Sequence, residues 1–456
     1  MSMIAPARRV SYQILLQMTA ADAHSDDLLR SAEVDALSAQ DRHLTTTLVM
    51  GTLRWQLALD ARITALLARP GTKLSLEAVT GLRMGAYQLL HLDRVPAHAV
   101  IHDGVELVKQ GRERGAAGMV NAVLRKIAEQ RSAVSDQRSE RAGQTFDAIA
   151  ARWAHPAWMV ERWVRRYGME AAEAICRWDQ EPAAPAVRAD PSTEIPDIDT
   201  EPGHFLTWAR CVVRGDLERS AAFREGRIRI QDEGSQLVAE IAAAAVPQAE
   251  RVLDTCAAPG GKTSVLAERL PQAEITAMDV SRKRLDAMRN LIGSRAVSIR
   301  FDVADVTKAE LKPEWDLILC DVPCSGTGTL ARNPEIRLRV TEADLARQHR
   351  RQVAILRAGL AGLKPGGRLV YSTCSLEPEE NENVVAQGLE TVPGSGVVPI
   401  EGILDRLADR GVLTAEGQER LKSATEGGFL RTLPGVHPCD GFFAAVLERQ
   451  ATGDRQ

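Results

Sequence analysis

This sequence of 456 residues lacks the features that mark membrane, secreted and zinc proteins. It has no run of about 18 apolar residues, the length a membrane-spanning helix needs, so we predict no membrane segment. No apolar segment follows the arginines near the N-terminus, which predicts a cytoplasmic protein. The seven cysteines are scattered, odd in number and without a Cys-x2-Cys pair. We therefore predict neither a disulfide framework nor a metal site.

The charge balance and the length set broad limits. The net charge is −4, with 26% charged and 45% hydrophobic residues, which is ordinary for a globular protein. This balance neither favours nor excludes nucleic acid as a partner, because a basic groove can coexist with an acidic remainder. The chain is long enough for two or three domains, each with its own core.

One stretch, residues 253–263, organises the chain. Residues 251–254 predict a short buried strand, a Pro-Gly-Gly turn ends it, and residues 263–270 predict a helix. A strand, a glycine turn and a helix together hold nucleotide-like ligands in α/β folds. The turn is neither a Walker loop nor a full Gly-x-Gly-x-x-Gly motif. The candidate cofactor-binding residues here are Cys256, Ala257, Ala258, Pro259, Gly260, Gly261 and Lys262.

Strands and helices alternate after this turn. The predicted strands are 274–279, 296–303, 315–321, 367–373 and 441–448. Their order predicts an α/β fold with a Rossmann-like, doubly wound and mostly parallel sheet that binds its ligand at the carboxyl ends of the strands. Asp279, 25 residues after Asp254 at the end of the strand before the turn, is placed to bind both ribose hydroxyls of a cofactor. Asp302 and Asp305 are both candidates for the adenine amino group, and we prefer Asp305 because it follows its strand.

The rest of the chain divides into two further regions. Residues 45–55, 76–92 and 98–109 place apolar side chains three and four apart, which predicts helices. Residues 131–144 are polar and predict a linker, and short strands with one amphipathic helix follow. We predict a helical domain over 1–135, a small α/β module over 145–235 and a catalytic domain over 236–450.

Several strings resemble the Sun/Fmu (RsmB) family of ribosomal RNA cytosine-C5 methyltransferases, which carry a NusB-like helical domain. In the catalytic part they are Cys-Ala-Ala-Pro-Gly-Gly-Lys (256–262), Asp-Val-Pro-Cys-Ser-Gly-Thr-Gly (321–328), Arg-Asn-Pro-Glu (332–335), Ser-Thr-Cys-Ser (372–375), Pro-Glu-Glu-Asn (378–381) and Asp-Gly-Phe-Phe (440–443). In the helical part, Gly-Thr-Leu-Arg-Trp (51–55) looks like the NusB-type RNA-binding domain. The resemblance implies S-adenosylmethionine as cofactor and small-subunit ribosomal RNA as partner. An oligomer is not implied. Possible phosphate contacts of the helical part are Arg112, Arg114, Arg125 and Lys126.

The chemistry of this resemblance centres on Cys324, Cys374 and Asp321. A thiolate that adds to C6 of cytosine makes C5 nucleophilic enough to take a methyl group, and a second thiol can serve product release. Asp321 can hydrogen-bond the ring at N3 and the exocyclic amine, and it is also a candidate cofactor-binding residue. The residues alone leave the nucleophile open, because both cysteines end predicted strands. The resemblance assigns the nucleophile to Cys374 and product release to Cys324.

Other interpretations remain beside this one. The same chemistry on transfer RNA is the nearest alternative. A helical RNA-binding assembly factor that only senses the cofactor is a second, which the presence of Cys324, Cys374 and Asp321 argues against. An amino-group methyltransferase is disfavoured, because Cys324 stands where the turn of those enzymes carries an aromatic residue. Buried packing is the common role of a free cysteine and is the structural alternative for both thiols.

Overall fold

The computed structural model describes residues 4–20, 23–69, 71–111, 114–134, 145–293 and 299–450. The chain forms two compact units, of which the first comprises Met1–Glu181 with Leu330–Arg339. The second comprises Pro182–Thr329 and Val340–Gln456. No helix in the described ranges is long and apolar enough to cross a membrane. Arg112, a predicted phosphate contact, lies outside the described residues.

The first unit is helical. Its helices are α1 Pro6–Ala20, α2 Ser25–Leu29, α3 Ala32–Asp35, α4 Ala39–Leu66, α5 Leu76–His91, α6 Ala97–Gln110, α7 Ala117–Val134, α8 Phe146–Arg152, α9 Ala157–Tyr167 and α10 Met169–Trp178. Serine side chains begin two of them, since Ser38 accepts from Asp41 N and Ser75 accepts from Ala78 N. Their apolar faces meet in a core that includes Leu82 and Leu124. The predicted helical N-terminal region is confirmed.

The segment 330–339 belongs to this first unit and is held by buried polar groups. Glu335 is 2% exposed and accepts hydrogen bonds from Ser25 N and Ser25 Oγ, both at 3.1 Å. Arg54 donates to the carbonyl of Ala331 at 2.7 Å. Arg337 is 1% exposed and donates to the carbonyl of Asp179 at 3.2 Å. Buried groups that find partners in this way fix a segment whose backbone has little regular structure of its own.

The second unit begins with a small antiparallel sheet in the order β2-β3-β1-β4. Its elements are β1 Ala186–Ala189, β2 Asp199–Pro202, β3 Ala209–Arg214, α11 Ala221–Arg224 and β4 Ile228–Ile230. Helices α8–α10 belong to the first unit and strands β1–β4 to the second. A module of its own over 145–235 therefore stays a prediction. Of the predicted linker, residues 131–134 continue helix α7, and residues 135–144 lie outside the described residues.

The second unit continues with a nine-stranded sheet in the order β11-β12-β13-β9-β8-β5-β6-β7, with β10 beside β13. Its strands are β5 Arg251–Asp254, β6 Glu274–Asp279, β7 Ile299–Val303, β8 Trp315–Asp321, β9 Leu363–Thr373, β10 Ser395–Val398, β11 Thr425–Glu426, β12 Phe429–Arg431 and β13 Phe443–Arg449. The helices in sequence are α12 Glu233–Ala245, α13 Gly261–Arg269, α14 Arg282–Ile292, α15 Ile336–Arg339 (in the first unit), α16 Glu342–Gly362, α17 Glu382–Thr391, α18 Glu401–Asp409 and α19 Ala415–Lys422.

Alternation along the central strands explains why helices cover both faces of this sheet. On β8, Leu317 and Leu319 pack into one core cluster, whereas Ile318 and Cys320 pack into another. Strands buried on both faces in this way are typical of parallel sheets between helices. β5, β6, β7, β8 and β9 pair in parallel, and β13 adds to β9 in the opposite direction. The predicted doubly wound, mostly parallel sheet is confirmed.

The order of these strands reverses beside β5. The chain runs from β5 outward through β6 to β7, then returns to β8 on the other side of β5. The connections that follow β5 and β8 therefore lead in opposite directions and leave a crevice between them at the carboxyl ends of these strands. Ligands of doubly wound sheets bind in this crevice. Of the predicted strand 296–303, residues 299–303 form β7, and residues 294–298 lie outside the described residues.

Candidate active site

A cavity of about 230 Å³ opens at the carboxyl ends of the parallel strands. Its lining residues are Thr255, Cys256, Ala258, Asp279, Val280, Arg284, Asp305, Val306, Asp321, Val322, Pro323, Cys324, Arg351, Ile355 and Cys374. The cavity thus brings together the predicted residues Cys256, Ala258, Asp279, Asp305, Asp321, Cys324 and Cys374. The other predicted residues belong to the glycine loop without lining the cavity: Ala257, Pro259, Gly260, Gly261 and Lys262.

The glycine loop has a conformation that a side chain would prevent. Gly260 has a φ of +106° and stands immediately before helix α13. A Cβ atom there would lie 2.6 Å from Met288 Cγ, so both the dihedral angle and the available space require glycine. The loop therefore turns directly from β5 into the start of α13. A helix N-terminus behind such a turn favours polar and anionic parts of a ligand.

Asp254 stabilises this loop from the end of strand β5. It ends β5, is 1% exposed, and accepts hydrogen bonds from Thr263 Oγ1 at 2.7 Å and from Cys256 N at 3.4 Å. Burial raises the pKa of Asp254 to about 7, because taking a carboxylate out of water disfavours its charged form. The two bonds join the strand end to the loop and to the first turn of α13, so Asp254 holds the loop without lining the cavity.

Asp279 is placed as the sequence predicts, at the end of β6. Its side chain is 3% exposed and accepts from Ser281 N at 2.9 Å. The Arg284 guanidinium lies 3.3 Å from the Asp279 carboxylate and donates to the Ala258 carbonyl at 2.5 Å. Arg284 therefore joins the acid to the glycine loop. The acid keeps acceptor capacity toward the cavity, since a carboxylate has about four lone-pair sites.

Of the two acids considered for adenine, Asp305 lines the cavity. Asp302 lies within β7, opposite Met278 of β6. Asp305 accepts from Thr307 N at 3.0 Å and from Thr307 Oγ1 at 2.6 Å. The hydrogen bond from Thr307 lowers the pKa of Asp305, because it stabilises the charged form. Asp305 is thus a fixed hydrogen-bond acceptor at the cavity wall.

Asp321 connects the glycine loop to strand β9. Its carboxylate lies 2.8 Å from Lys262 Nζ and accepts from Ser372 Oγ at 2.7 Å. Burial lowers the pKa of Lys262, but the neighbouring Asp321 carboxylate outweighs burial and the net effect raises it. Lys262 also lies 5.4 Å from the centroid of the Phe442 ring, a cation–π distance. Lys262 therefore holds Asp321 in place, and Phe442 of the Asp-Gly-Phe-Phe string supports Lys262.

The two cysteines of the strand-end motifs are in contact. Cys324 Sγ and Cys374 Sγ lie 3.3 Å apart and face the same cavity. The contact with Cys374, together with burial, raises the pKa of Cys324 well above its ordinary value. Backbone bonds fix this arrangement, since Gly328 N donates to the Cys374 carbonyl at 2.9 Å and Gly441 N donates to the Gly328 carbonyl at 2.8 Å. The motifs at 321–328, 372–375 and 440–443 therefore form one structure.

Two other cysteines lie near the cavity but are differently placed. Burial raises the pKa of Cys320 to about 12, and this side chain is 0% exposed within β8. Burial also raises the pKa of Cys256, which lines the cavity from the glycine loop. Both groups are therefore thiols at neutral pH, and thiolates are the reactive form. Cys324 and Cys374 differ from these two in that their sulfur atoms are in contact and both line the cavity.

Some cavity residues are not predicted from the sequence. Arg284 and Arg351 are arginines on helices α14 and α16, and Ile355 follows Arg351 by one turn. No local pattern marks them, because each faces the cavity only through the packing of its helix against the sheet. Arg284 had one usable signal, a cationic residue five positions after Asp279.

These residues fit a nucleoside cofactor. A loop that only glycine can form, an acid at the end of β6 and a further acid after β7 match a ribose and an adenine amino group. Cys324 and Cys374 line the same cavity, where a transferred group could meet its acceptor. This combination places the chain in the class of S-adenosylmethionine-dependent methyltransferases.

Comparison with known proteins gives the family within that class. Residues 242–448 match the family model of the 16S rRNA methyltransferase RsmB/F, and residues 5–129 match the NusB family. The chain is similar to a probable ribosomal RNA small subunit methyltransferase B of Bacillus subtilis, at 32% identity over 97% of this chain and 98% of the relative. The chain belongs to the RsmB/F family of methyltransferases and carries an N-terminal NusB domain.

Further relatives agree with this assignment. The ribosomal RNA small subunit methyltransferase B of Pseudomonas syringae is 32% identical, with 93% of this chain and 92% of the relative covered. The crystal structure of PH0851 superimposes with a TM-score of 0.76 at 21% identity, with 98% of this chain and 99% of that chain covered. The structural match shows a shared fold along nearly the whole chain. The predicted family, fold class and cofactor are confirmed.

Proposed function

We propose that this chain methylates C5 of a cytosine in small-subunit ribosomal RNA, with one cysteine bonded transiently to C6. The observation that carries this proposal is the 3.3 Å contact between Cys324 Sγ and Cys374 Sγ beside Asp321. Methylation at C5 needs a nucleophile for C6 and a base for the proton on C5, two neighbouring atoms of one ring. Two thiols in contact at one cavity wall meet both needs.

The class of substrate rests on the relatives. Those from Bacillus subtilis and Pseudomonas syringae are both named as ribosomal RNA small subunit methyltransferases. The NusB match over residues 5–129 supports an RNA substrate as well, because it adds a domain beyond what a methyl transfer itself requires. An enzyme must reach C5 and C6 of a base outside the helix stack, so a single-stranded or extruded cytosine is the target we propose.

Cys374 is the nucleophile in this proposal. The string Ser-Thr-Cys-Ser (372–375) supports this choice, because the family that it resembles assigns the nucleophile to the cysteine of this motif. Its thiolate bonds C6, and the electron pair of the C5–C6 double bond becomes available at C5. Bound S-adenosylmethionine supplies the methyl group as an electrophilic sulfonium. Asp321, held by Lys262 and Ser372, binds the N3 edge of the ring and stabilises the charge that develops there.

Cys324 is the base that completes the reaction. Once Cys374 is bonded to C6, the contact between two thiols that raises the pKa of Cys324 is lost. Cys324 then releases its proton to water, and its thiolate takes the proton from C5. The electron pair of the C5–H bond restores the C5–C6 double bond and expels Cys374 as a thiolate. Both sulfurs thus return to their starting states.

The test compares wild type with Cys324→Ala, Cys374→Ala and Cys211→Ala, a control on strand β3. Each protein is mixed with small-subunit ribosomal RNA or transfer RNA and labelled S-adenosylmethionine, and denaturing gels report label on RNA and on protein–RNA adducts. We expect Cys324→Ala to accumulate an adduct, Cys374→Ala to give neither adduct nor product, and Cys211→Ala to match wild type.

Each other outcome changes the proposal in a defined way. The reverse behaviour of the two thiol variants would exchange their roles and keep the reaction. Label transferred only to transfer RNA would mean that the substrate is transfer RNA and not ribosomal RNA. Cofactor binding by wild type without transfer to any RNA would reject catalysis in favour of an RNA-binding assembly factor.

A further inference from the structure

A buried carboxylate lies next to the thiol pair. Glu380, in the short turn Pro378–Glu380 before helix α17, is 0% exposed. It accepts hydrogen bonds from Ser325 N at 2.8 Å, from Gln352 Nε2 at 3.0 Å and from Ser375 Oγ at 2.5 Å. Ser325 Oγ is a fourth donor to the same group. Both carboxylate oxygens are thereby satisfied.

The donors come from both cysteine segments. Ser325 directly follows Cys324, and Ser375 directly follows Cys374. Their hydroxyl oxygens lie 3.1 Å apart, and both donate to Glu380. Gln352 of helix α16 adds a second link, because its amide donates to the Pro323 carbonyl at 2.9 Å as well as to Glu380. One side chain therefore joins the two backbone segments whose thiols touch.

Neither helix capping nor ion pairing accounts for this placement. Asn381, not Glu380, precedes the first residue of helix α17, and the carboxylate bonds serine and glutamine groups outside that helix. In the described part of the chain no cation pairs with Glu380. Burying a carboxylate without a cation is costly unless several donors offset the lost water, and apolar residues would fill the space at lower cost. A fully satisfied polar network of this kind specifies one arrangement of the segments it joins.

We propose that Glu380 is a positioning residue that fixes the distance between Cys324 and Cys374. The inference rests on the proposed function, in which both sulfurs act on one cytosine. A displacement of about 1 Å in a reacting group can slow a reaction on the order of 10²-fold. The hydrogen bonds of Glu380 hold Ser325 and Ser375, each of which directly follows one of the two cysteines. They therefore limit how far the two sulfur atoms can move apart. The carboxylate itself does not touch the base.

The variants separate hydrogen bonding from charge. Glu380→Ala removes all four bonds, whereas Glu380→Gln can keep them, since its oxygen can accept from Ser325 N and Gln352 while its amide donates to the two serine hydroxyls. Ser325→Ala combined with Ser375→Ala removes the two hydroxyl bonds to Glu380 and, in addition, the acceptor of Glu377 N. Glu390→Gln, on the exposed side of helix α17, is the matched control. Thermal unfolding identifies the variants that fold.

The first measurement reports the thiols without any methyl transfer. Phenylarsine oxide bonds two neighbouring thiols at once and releases water, and the mass of the intact protein reports its capture. The Cys324→Ala variant gives the background from other cysteines. We expect wild type, Glu380→Gln and Glu390→Gln to capture the arsenical above that background, and Glu380→Ala to lose this capture. A failure of the proposed function would leave this result unchanged.

The second measurement is methyl transfer to ribosomal RNA. We expect Glu380→Ala to lower kcat on the order of 10²-fold with little change in KM, and Glu380→Gln to restore most of it. If Glu380→Ala does not fold, the double serine variant carries the test, with a smaller loss of the same kind. Capture and kcat equal to the control in the folded variants would overturn the inference. Equal loss of kcat in Glu380→Gln and Glu380→Ala, with capture intact, would also overturn it, because charge would then be what matters.

Discussion

The cofactor end and the thiol end of the cavity are built in different ways. At the cofactor end, Asp279 and Asp305 each accept from a backbone N–H two positions along the chain. At the thiol end, Cys324 meets Cys374 across 50 residues of sequence, and Ser325 meets Glu380 across 55. Local turns can orient the first two acids, whereas the thiol pair exists only once β8 and β9 lie side by side. The proposed reacting groups therefore depend on the folded sheet more strongly than the proposed cofactor contacts do.

Asp321 is the residue that joins the two ends. It pairs with Lys262 of the glycine loop and accepts from Ser372 of β9, two residues before Cys374. A change at Asp321 should therefore affect both ends, whereas a change at Asp279 or Asp305 should affect only one. The predictions below use this difference.

We expect the largest effect from Asp321→Asn. The amide can still accept from Ser372, but it leaves Lys262, whose side chain is 12% exposed, without its carboxylate. Loss of an oriented charge at a reacting centre lowers turnover on the order of 10³-fold. Labelled methyl transfer to ribosomal RNA measures kcat, and equilibrium dialysis measures the affinity for S-adenosylmethionine, which should also weaken.

Asp316→Asn is the matched control for this change. Asp316 lies at the opposite end of β8 and pairs with Lys364 at 2.9 Å, so it offers the same ion pair away from the cavity. We expect its kcat and cofactor affinity to match wild type. Turnover by Asp321→Asn within a few-fold of this control would show that the two ends work independently.

The next largest effect is on stability and its pH dependence. The pKa of Asp254 is about 7 in the folded protein against an ordinary 3.8, so folding favours its protonated form. Its contribution is fully present below pH 3.8 and is lost as the pH rises through about 7. The loss should reach roughly 4 kcal/mol of the free energy of unfolding.

Urea unfolding of wild type and Asp254→Asn at a series of pH values measures this contribution. The amide cannot titrate, so the difference in the free energy of unfolding between the two proteins should change with pH between about 4 and 7 and be constant above that window. A difference that does not vary with pH would mean that the acid supporting the glycine loop keeps its charge when buried.

A smaller effect is expected at Asp279. Asp279→Asn retains an oxygen for Ser281 N but cannot accept from two ribose hydroxyls with equal strength. Losing one bond to a charged acceptor should raise the Kd for S-adenosylmethionine about 10-fold. Because the change is confined to the cofactor end, kcat at saturating cofactor and phenylarsine oxide capture should stay at wild-type values. A lower kcat at saturation would contradict the separation of the two ends.

What the sequence predicts follows the same division. The glycine loop, Asp279 and the strands around them rest on local patterns, and β5, β6 and β8 have the predicted bounds. Asp279 could be found because an acid at a strand end a fixed distance after a glycine turn is a short-range signal. Cys324 and Cys374 could be named as candidates because strand ends meet at one edge of a parallel sheet.

The contacts that the sequence does not give are long-range or depend on helix packing. Nothing in the string Pro-Glu-Glu-Asn (378–381) indicates that Glu380 turns inward to meet Ser325. Arg351 lines the cavity because α16 packs against β8 and β9, which fixes its facing side. The segment 330–339 reads as part of the catalytic region but belongs to the helical unit. Such features arise from tertiary packing, which local propensity does not encode.

The smallest expected effect compares the two acids that the sequence left open for adenine. Asp305 lines the cavity with a side chain that is 37% exposed, and Asp302 lies within β7. Asp305→Asn can keep its bond from Thr307 N but loses the charge that strengthens a bond from the adenine amine, so we expect the Kd for S-adenosylmethionine to rise about 3-fold. Isothermal titration of both variants measures this, and Asp302→Asn should match wild type. Because water screens a partly exposed acid, the effect should stay below that of Asp279→Asn, whose carboxylate is 3% exposed. A larger rise in the Kd from Asp302→Asn than from Asp305→Asn would contradict this prediction. It would assign the adenine contact to Asp302 of β7 instead of Asp305.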